Sequence, residues 1–162
     1  MRIASLFQLI SATLFFTLSS VISASGLPIA SDLQAEYRQS GINNEGQKKV
    51  VLMLVSQPNC SYCVQITEEI LRPMIISGNY ATNTLFSEIE INTGKSIKDF
   101  AGNSVNATEF AQRYGAWATP TLLFLDQRGK QVAQKIIGIN TPELYGFYVD
   151  KALRQGFTAL NP

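Results

Sequence analysis

Cys60 and Cys63 constrain the fold of this chain most, because they stand between an apolar run and an amphipathic stretch. Residues 49–56, "KVVLMLVS", are rich in valine and leucine, which is typical of a strand buried on both faces. The residues after the cysteines place apolar side chains on one predicted helix face, at Val64, Ile66, Ile70 and Leu71. Pro73 should end or kink that helix. The predicted order is a buried strand, a short loop and a helix that begins at the first cysteine.

The two cysteines could form a structural disulfide, half of a metal site or a redox centre. A disulfide that closes a loop of two intervening residues stabilises a fold little, because the effect grows with loop length. A tetrahedral zinc site needs two further ligands, and the chain has no histidine and no third cysteine. Only a site shared between protomers, or one completed by carboxylates or an external ligand, would remain.

The redox interpretation asks for a thiolate at a helix N-terminus, and the predicted layout supplies it. Unpaired N–H groups and the helix dipole favour the thiolate of Cys60 and lower its pKa. Cys63, one turn into the helix, should be more buried and react second. We therefore favour redox chemistry over the other two interpretations.

The first residues resemble a secretory leader. Arg2 precedes an apolar stretch, and small residues follow at Ser23, Ala24 and Ser25. We expect a signal peptide over residues 1–24, cleaved after Ala24 or Ser25, and a periplasmic or secreted protein. A retained membrane anchor is the alternative, since the apolar run is nearly long enough to span a bilayer.

The charge balance gives no reason to expect nucleic acid or an anionic membrane as a partner. Arg2 is the one charged residue of the leader, so its removal takes the formal net charge from +1 to zero. An exported chain of this kind works in an oxidising compartment, where a disulfide persists. A length of 162 residues suits one domain.

The remaining elements predict an α/β sandwich. Residues 84–92 resemble a strand, and residues 106–115 a helix capped by Asn106. Residues 119–138 suggest two strands around a turn. A last helix opens at Thr141-Pro142 and carries apolar residues at Leu144, Phe147, Tyr148, Ala152 and Leu153.

This order, with C-x-x-C at the first helix and Thr119-Pro120 before the hairpin, resembles thioredoxin-fold proteins over about residues 48–155. More narrowly, "LMLVSQPNCSYC", the extended segment 91–115 and "TPT" resemble periplasmic thioredoxin-related proteins associated with bacterial sulfur oxidation. The resemblance implies a three-layer sandwich around a mixed sheet of four to five strands. Residues 25–47 would then be an N-terminal extension with a short helix, and residues 156–162 a tail.

The resemblance also implies supporting residues around the redox pair. Pro120 should follow a cis peptide bond and lie against Cys60–Cys63, which leaves the backbone of Thr119 free to pair with an extended substrate. Ser61 and Tyr62 lie between the cysteines. Trp117 on the same loop as Thr119 should face substrate, with core packing as the alternative.

Two positions depart from thioredoxin. Leu54 stands where thioredoxin has a buried aspartate that helps to deprotonate the second cysteine, and Glu88 stands roughly where thioredoxin has a lysine. Glu88 is therefore a candidate proton relay, or else a solvated strand residue. The extra residues, about 93–105, should form a loop or small hairpin near the active-site edge, for partner recognition or as a neutral insertion.

These features predict a monomeric, exported thiol–disulfide oxidoreductase that reduces disulfides in client proteins. It would need no metal, flavin or nucleotide, only the Cys60–Cys63 disulfide and electrons from a membrane thiol-transfer protein. The alternatives are an isomerase or oxidant of the same fold, and a binding module that only senses redox state. After cleavage of the leader we expect no stable membrane association.

Overall fold

A computed structural model describes residues 26–162, and the predicted leader lies outside them. The strands of the described residues are β1 (Val50–Ser56), β2 (Thr84–Glu90), β3 (Ser96–Lys98), β4 (Ser104–Asn106), β5 (Thr121–Leu125) and β6 (Ile136–Ile137). The α-helices are α1 (Leu33–Ser40), α2 (Ser61–Ile66), α3 (Arg72–Ile76), α4 (Ala107–Arg113) and α5 (Tyr145–Leu160). A π-helical turn (Thr67–Leu71) joins α2 to α3, and a 3₁₀ turn (Pro142–Leu144) precedes α5.

Four strands form a mixed sheet in the order β2-β1-β5-β6. Strand β1 lies parallel to β2 and antiparallel to β5. Every residue of β1 is buried, as expected of a central strand covered on both faces. The predicted second strand of the hairpin is mostly irregular, because only Ile136 and Ile137 form a ladder with β5.

Two helical layers cover the sheet and complete the predicted three-layer sandwich. Alternate residues of β1 belong to different cores, because successive side chains of a strand point to opposite faces. Met53 packs with Leu33 of α1 and Phe110 of α4. Leu54 packs with Ile66 of α2 and Val149 of α5. The redox pair lies on the layer that α2 and α5 form.

The extra segment forms a small hairpin, as predicted, in which β3 pairs with β4. The hairpin does not lie only at the active-site edge. Its apolar side chains Ile97, Phe100 and Val105 are buried in the core beside α1 and α4. Phe100 also approaches Gly129, which follows β5 at the end of the sheet remote from the cysteines. The hairpin therefore extends the core along the α1–α4 layer.

The helix after the cysteines buries most of the predicted face, because Ile66, Ile70 and Leu71 pack in the core, but the face differs at its start. Val64 is exposed, whereas Cys63, Ile66 and Thr67 are buried. Pro73 does not end the helical segment. The N–H of Arg72 donates to the carbonyl of Thr67, five residues back, so the wide turn precedes the proline and α3 continues to Ile76.

The last helix is longer than predicted and rotated. Residues 156–160, expected as part of a tail, are the final turn of α5. Leu144, Phe147 and Tyr148 are exposed, and the buried face is Tyr145, Val149, Ala152, Leu153 and Gly156. At Gly156 a Cβ would lie 3.1 Å from a methyl of Val50, so small residues let α5 approach β1 closely.

Candidate active site

Cys60 and Cys63 form a disulfide with an S–S distance of 2.06 Å and Cα atoms 5.2 Å apart. Strand β1 ends at Ser56, and the loop of residues 57–59 leads to Cys60 at the N-cap of α2. Asn59 in that loop has a φ of 61°, a left-handed conformation that asparagine tolerates better than most residues. The loop turns the chain sharply from the strand into the helix.

The two sulfurs have unequal environments. Cys63 is 5% exposed and lies on the core-facing side of α2, whereas Cys60 is only partly buried. The N–H of Cys63 donates to the Sγ of Cys60 at 3.1 Å. The carbonyl of Cys60 accepts from Cys63 and Val64. These contacts fix Cys60 at the helix start, where helix N–H groups favour its thiolate after reduction.

The Thr119–Pro120 peptide bond is cis and lies at the same end of the sheet. Thr121, the first residue of β5, pairs with Val55, so the preceding loop is beside the end of β1. The carbonyl of Pro120 accepts from Gly138 at 2.8 Å. Among the described residues, the backbone of Thr119 makes no hydrogen bond. The backbone groups of Thr119 are therefore unoccupied within the described domain, and their pairing with an extended substrate stays a prediction.

Trp117 and Tyr62 are exposed aromatic side chains, at 76% and 62%. Core packing of Trp117 is therefore wrong. Neither aromatic residue lines the cleft beside the disulfide, whereas Ser61 does. The aromatic side chains are available at the surface on the two segments that carry the cysteines and the cis peptide.

A cleft of about 730 Å³ adjoins the disulfide. Its wall includes both cysteines, the buried Thr67, and carboxylates from β2 and the helix. The carboxylates are Glu68, Glu88 and Glu90, and no lysine or arginine within residues 26–162 lines the cleft. Glu68 pairs with Arg72 at 2.7 Å and Glu90 with Lys95 at 2.9 Å, outside the cleft lining.

Glu88 is a partly buried cleft residue, so it is not the solvated strand residue of the alternative interpretation. The Ser56 hydroxyl donates to its Oε1 at 2.5 Å. Burial raises the pKa of Glu88, the Ser56 hydrogen bond opposes that rise, and the charge of Glu90 adds to it. Among the described residues, no lysine or arginine pairs with this carboxylate.

Ser56, Thr67 and Glu90 were not predicted as site residues. The sequence contains a signal for Glu90, because Glu88 and Glu90 alternate in a strand and so share a face. Ser56 and Thr67 carry no such signal. They belong to the site because the parallel register of β1 and β2 and the turn of the helix bring them to one cleft.

The described residues contain no cluster of three or more histidine, cysteine, aspartate or glutamate side chains that could hold a metal ion. No helix within residues 26–162 has the length and apolarity to cross a membrane.

The mixed sheet, its flanking helices and a disulfide at the start of a helix define a thioredoxin-like α/β protein with a C-x-x-C pair. The family described as Thioredoxin-like domain matches residues 38–153. The chain belongs to this family. No curated protein matches the chain in sequence.

Solved structures that are similar to the chain include several thioredoxins. Mitochondrial thioredoxin 3 from Saccharomyces cerevisiae, in its oxidised form, has a TM-score of 0.50 and 14% identity, over 79% of this chain and 93% of its own. A poplar thioredoxin h has a TM-score of 0.45 and 26% identity, over 73% and 83%. A thioredoxin-fold protein from Helicobacter pylori has a TM-score of 0.47 and 20% identity, over 69% and 81%.

The yeast structure supports the fold alone, at its low identity. Family membership together with the Cys60–Cys63 disulfide supports thiol–disulfide oxidoreductase chemistry in general.

Proposed function

We propose that the protein is an exported thiol–disulfide oxidoreductase that reduces disulfides in client proteins. The observation that carries this proposal is the unequal exposure of the two sulfurs at one helix start. A partly exposed Cys60 can reach a client disulfide, and a buried Cys63 next to it can attack only what Cys60 holds. This is the division of labour that thiol exchange through a mixed disulfide requires.

The reaction begins with the reduced protein. The Cys60 thiolate attacks one sulfur of a client disulfide, forms a Cys60–client disulfide and expels the other client sulfur, which takes up a proton. Cys63 then loses its thiol proton and attacks the Sγ of Cys60. The second client sulfur leaves as a thiol, and two electrons have passed to the client.

The charges around the pair favour a reductant over an oxidant. A strong oxidant of this fold has a stabilised reduced form, which for a thiolate means nearby positive charge. Here the cleft carries three carboxylates, and the described part of the chain lines it with no lysine or arginine side chain. Negative charge disfavours the Cys60 thiolate and so favours the oxidised protein, which is the product of reducing a client.

Two residues favour the isomerase alternative, Thr119 before the proline and Tyr62 before the second cysteine. Both resemble the disulfide isomerases of the thioredoxin fold more than thioredoxin itself. Isomerases of this fold usually add a dimerisation domain. In the region before β1, Leu33 and Tyr37 are buried in the core of the same domain, so this region is not a separate dimerisation domain. We therefore place reduction first and propose a monomer.

The client, the electron source and the location are further parts of the proposal. The predicted leader supports export, and we propose a membrane thiol-transfer protein as electron donor. The narrower resemblance, carried by residues 52–63 and 91–115, supports a client associated with sulfur oxidation. Cys63→Ser, expressed with its leader, should accumulate a Cys60-linked mixed disulfide with that client.

The first prediction concerns catalysis. The described domain should accelerate the reduction of insulin by dithiothreitol, because Cys60 supplies a positioned thiolate. Cys60→Ser should abolish this acceleration, and Cys63→Ser should retain the mixed disulfide, visible by mass spectrometry under non-reducing conditions. Full activity of Cys60→Ser would show that the nucleophile is wrongly assigned. No activity of the wild type would favour the redox-sensing binding module.

A further inference from the structure

Glu88 lies on the face of the sheet that the redox pair occupies. In the parallel register of β1 and β2, Leu54 is the partner of Glu88. Side chains of paired residues point to the same face of a sheet. Leu54 is fully buried in the core beside α2, so Glu88 and Ser56 are also directed toward the α2 side. The carboxylate is thus on the neighbouring strand, next to an apolar side chain.

The cleft gives Glu88 access to the buried sulfur. Cys63, Thr67 and Glu88 line the same space, and its volume of about 730 Å³ holds many water molecules. A proton can therefore move between the thiol and the carboxylate through water. Cys63 needs such a route, since its own side chain is buried and its reaction releases a proton.

The position of Glu88 is fixed on three sides. Its N–H donates to the carbonyl of Pro28 and its carbonyl accepts from Ala30, so the segment before α1 holds its backbone. The Ser56 hydroxyl holds Oε1.

The charged groups that face Glu88 are few. Glu90 follows on the same strand and is paired with Lys95. Glu68 lies across the cleft on the helix and is paired with Arg72. Ser56 from β1 brings no charge to the cleft, and Gly26 from the N-terminal segment lines it without a side chain. Cleavage of the leader after Ser25 would place the new α-ammonium group on Gly26. Glu88 is the cleft carboxylate without an ionic partner among the described residues.

We propose that Glu88 accepts the proton that Cys63 loses when its sulfur attacks the mixed disulfide. This inference rests on the proposed function, because the step exists only if Cys60 forms mixed disulfides. The Cys63 S–H bond breaks and its proton passes through water to a carboxylate oxygen of Glu88. The Cys63–Cys60 bond forms, the Cys60–client bond breaks, and the client thiolate leaves. The client thiolate takes the proton back from Glu88 through the same water, so no net proton is left on the carboxylate.

The pH dependence of the resolution step follows from the direction in which the pKa of Glu88 is shifted. Only the ionised carboxylate accepts a proton, so resolution should speed up as pH rises through the pKa of Glu88. That pKa is raised by burial. Above it the rate should level off, until the pH approaches the pKa of the Cys63 thiol, where no acceptor is needed.

The experiment is single-turnover resolution of a preformed Cys60 mixed disulfide with a small aromatic thiol, followed by its absorbance from pH 4 to 10. Glu88→Gln keeps an oxygen for Ser56 and removes the proton acceptor. Its rate near pH 7 should be lower by on the order of tenfold, which is modest for general-base catalysis. The plateau should disappear, and the rate should rejoin that of the wild type at high pH.

Glu90→Gln is the matched control, since it makes the same change two residues away on the same face. It should keep the plateau and move the inflection to lower pH, because one negative charge near Glu88 is lost. A Glu88→Gln rate equal to that of the wild type across the pH range would overturn the proposal. An equal loss at every pH, without convergence, would also overturn it, since that marks a structural role.

A measurement on the wild type keeps the test independent of how the variant folds. The carboxyl carbon of Glu88, followed by NMR in the oxidised and reduced proteins, should titrate at different pH values, because the disulfide does not ionise whereas the reduced cysteines can carry a thiolate at the same cleft. Identical titrations would overturn the proposal. If the wild type forms no mixed disulfide with insulin or the probe, the proposed function fails instead.

Discussion

Among single residues, position 54 decides where a carboxylate lies relative to the redox pair. An aspartate there would stand directly under the helix, whereas Leu54 fills the core and leaves the carboxylate to its register partner Glu88. Glu88 lies at the cleft with room for water around it. The same chemistry is thus available from the adjacent strand, with the carboxylate nearer to solvent than a core aspartate would be.

A second carboxylate, Asp99, organises the β3–β4 turn. Its Oδ1 accepts from the N–H groups of Ala101 and Asn103, and its Oδ2 from Arg113. Burial alone would raise the pKa of Asp99, but the hydrogen bonds from Asn103, Arg113 and Ala101 outweigh it and hold the pKa below its ordinary value. A lowered pKa in the folded state stabilises the fold at neutral pH.

Asp99→Ala should lower the free energy of unfolding at pH 7 by about 2 kcal/mol, because two backbone donors lose their acceptor. The difference should be present above the ordinary pKa of an aspartate and vanish as pH falls through the lowered pKa of Asp99. Urea unfolding at pH 7 and in acid measures it. Arg113→Gln, which removes only the ion pair, should cost less than about 1 kcal/mol. If Asp99→Ala lost the same free energy of unfolding at every pH, the expected link between the lowered pKa of Asp99 and stability would be contradicted.

At the scale of elements, the helix after the cysteines shows what its pattern could and could not predict. Cys63, Ile66, Thr67, Ile70 and Leu71 follow the spacing of one helix face. The predicted face includes Val64, whereas the buried face has Cys63 and Thr67. Free or paired cysteine packs as a small apolar side chain, so Cys63 belongs to the apolar pattern of this helix.

The segment before α1 is the second element that supports the site. Leu27 is 4% exposed in the core beside α2, and Ile29 is 53% exposed on the same segment. Between and after them, Pro28 and Ala30 hold the backbone of Glu88. The burial of Leu27 therefore helps to hold Glu88 in the wall of the cleft. The sequence pattern of so short a segment does not predict that its backbone pairs with β2.

Leu27→Ala should destabilise the domain by about 2 kcal/mol through the lost burial and cavity, and should slow the resolution of mixed disulfides. Ile29→Ala is the matched control and should change the free energy of unfolding by less than about 0.5 kcal/mol. Thermal unfolding and the single-turnover assay measure the two effects. Equal losses in both variants would show that burial of Leu27 does not hold the segment.

Across the whole domain, local sequence patterns predicted the helices, the strands and the sandwich. They did not predict the cleft beside the disulfide. The apolar run before Cys60, the cap at Asn106 and the Thr119-Pro120 loop each have a local signature. The cleft depends on the register of β1 with β2, which pairs residues 34 positions apart, such as Ser56 and Glu90, and so brings the Ser56 hydroxyl to Glu88. Such pairing depends on how the whole chain packs, and neighbouring residues do not encode it.

The distribution of charge and burial around the disulfide predicts how oxidation changes the stability of the whole domain. In a thermodynamic cycle, the difference in unfolding free energy between oxidised and reduced proteins equals the difference in redox free energy between folded and unfolded chains. Carboxylates at the cleft, and a buried Cys63, disfavour a charged reduced pair in the folded state. The folded protein should therefore prefer the disulfide more than the unfolded chain does.

We expect the oxidised protein to unfold at a higher urea concentration than the protein kept reduced with dithiothreitol. Each 1.4 kcal/mol of difference corresponds to about 30 mV in the potential of the pair. A glutathione-equilibrium measurement of that potential is the independent check, and the Cys60→Ser/Cys63→Ser double variant should show no dependence on reductant. A reduced protein more stable than the oxidised one would place the pair among oxidants. In that case the carboxylates would not set the direction of electron flow, and the isomerase or oxidant alternative would replace reduction.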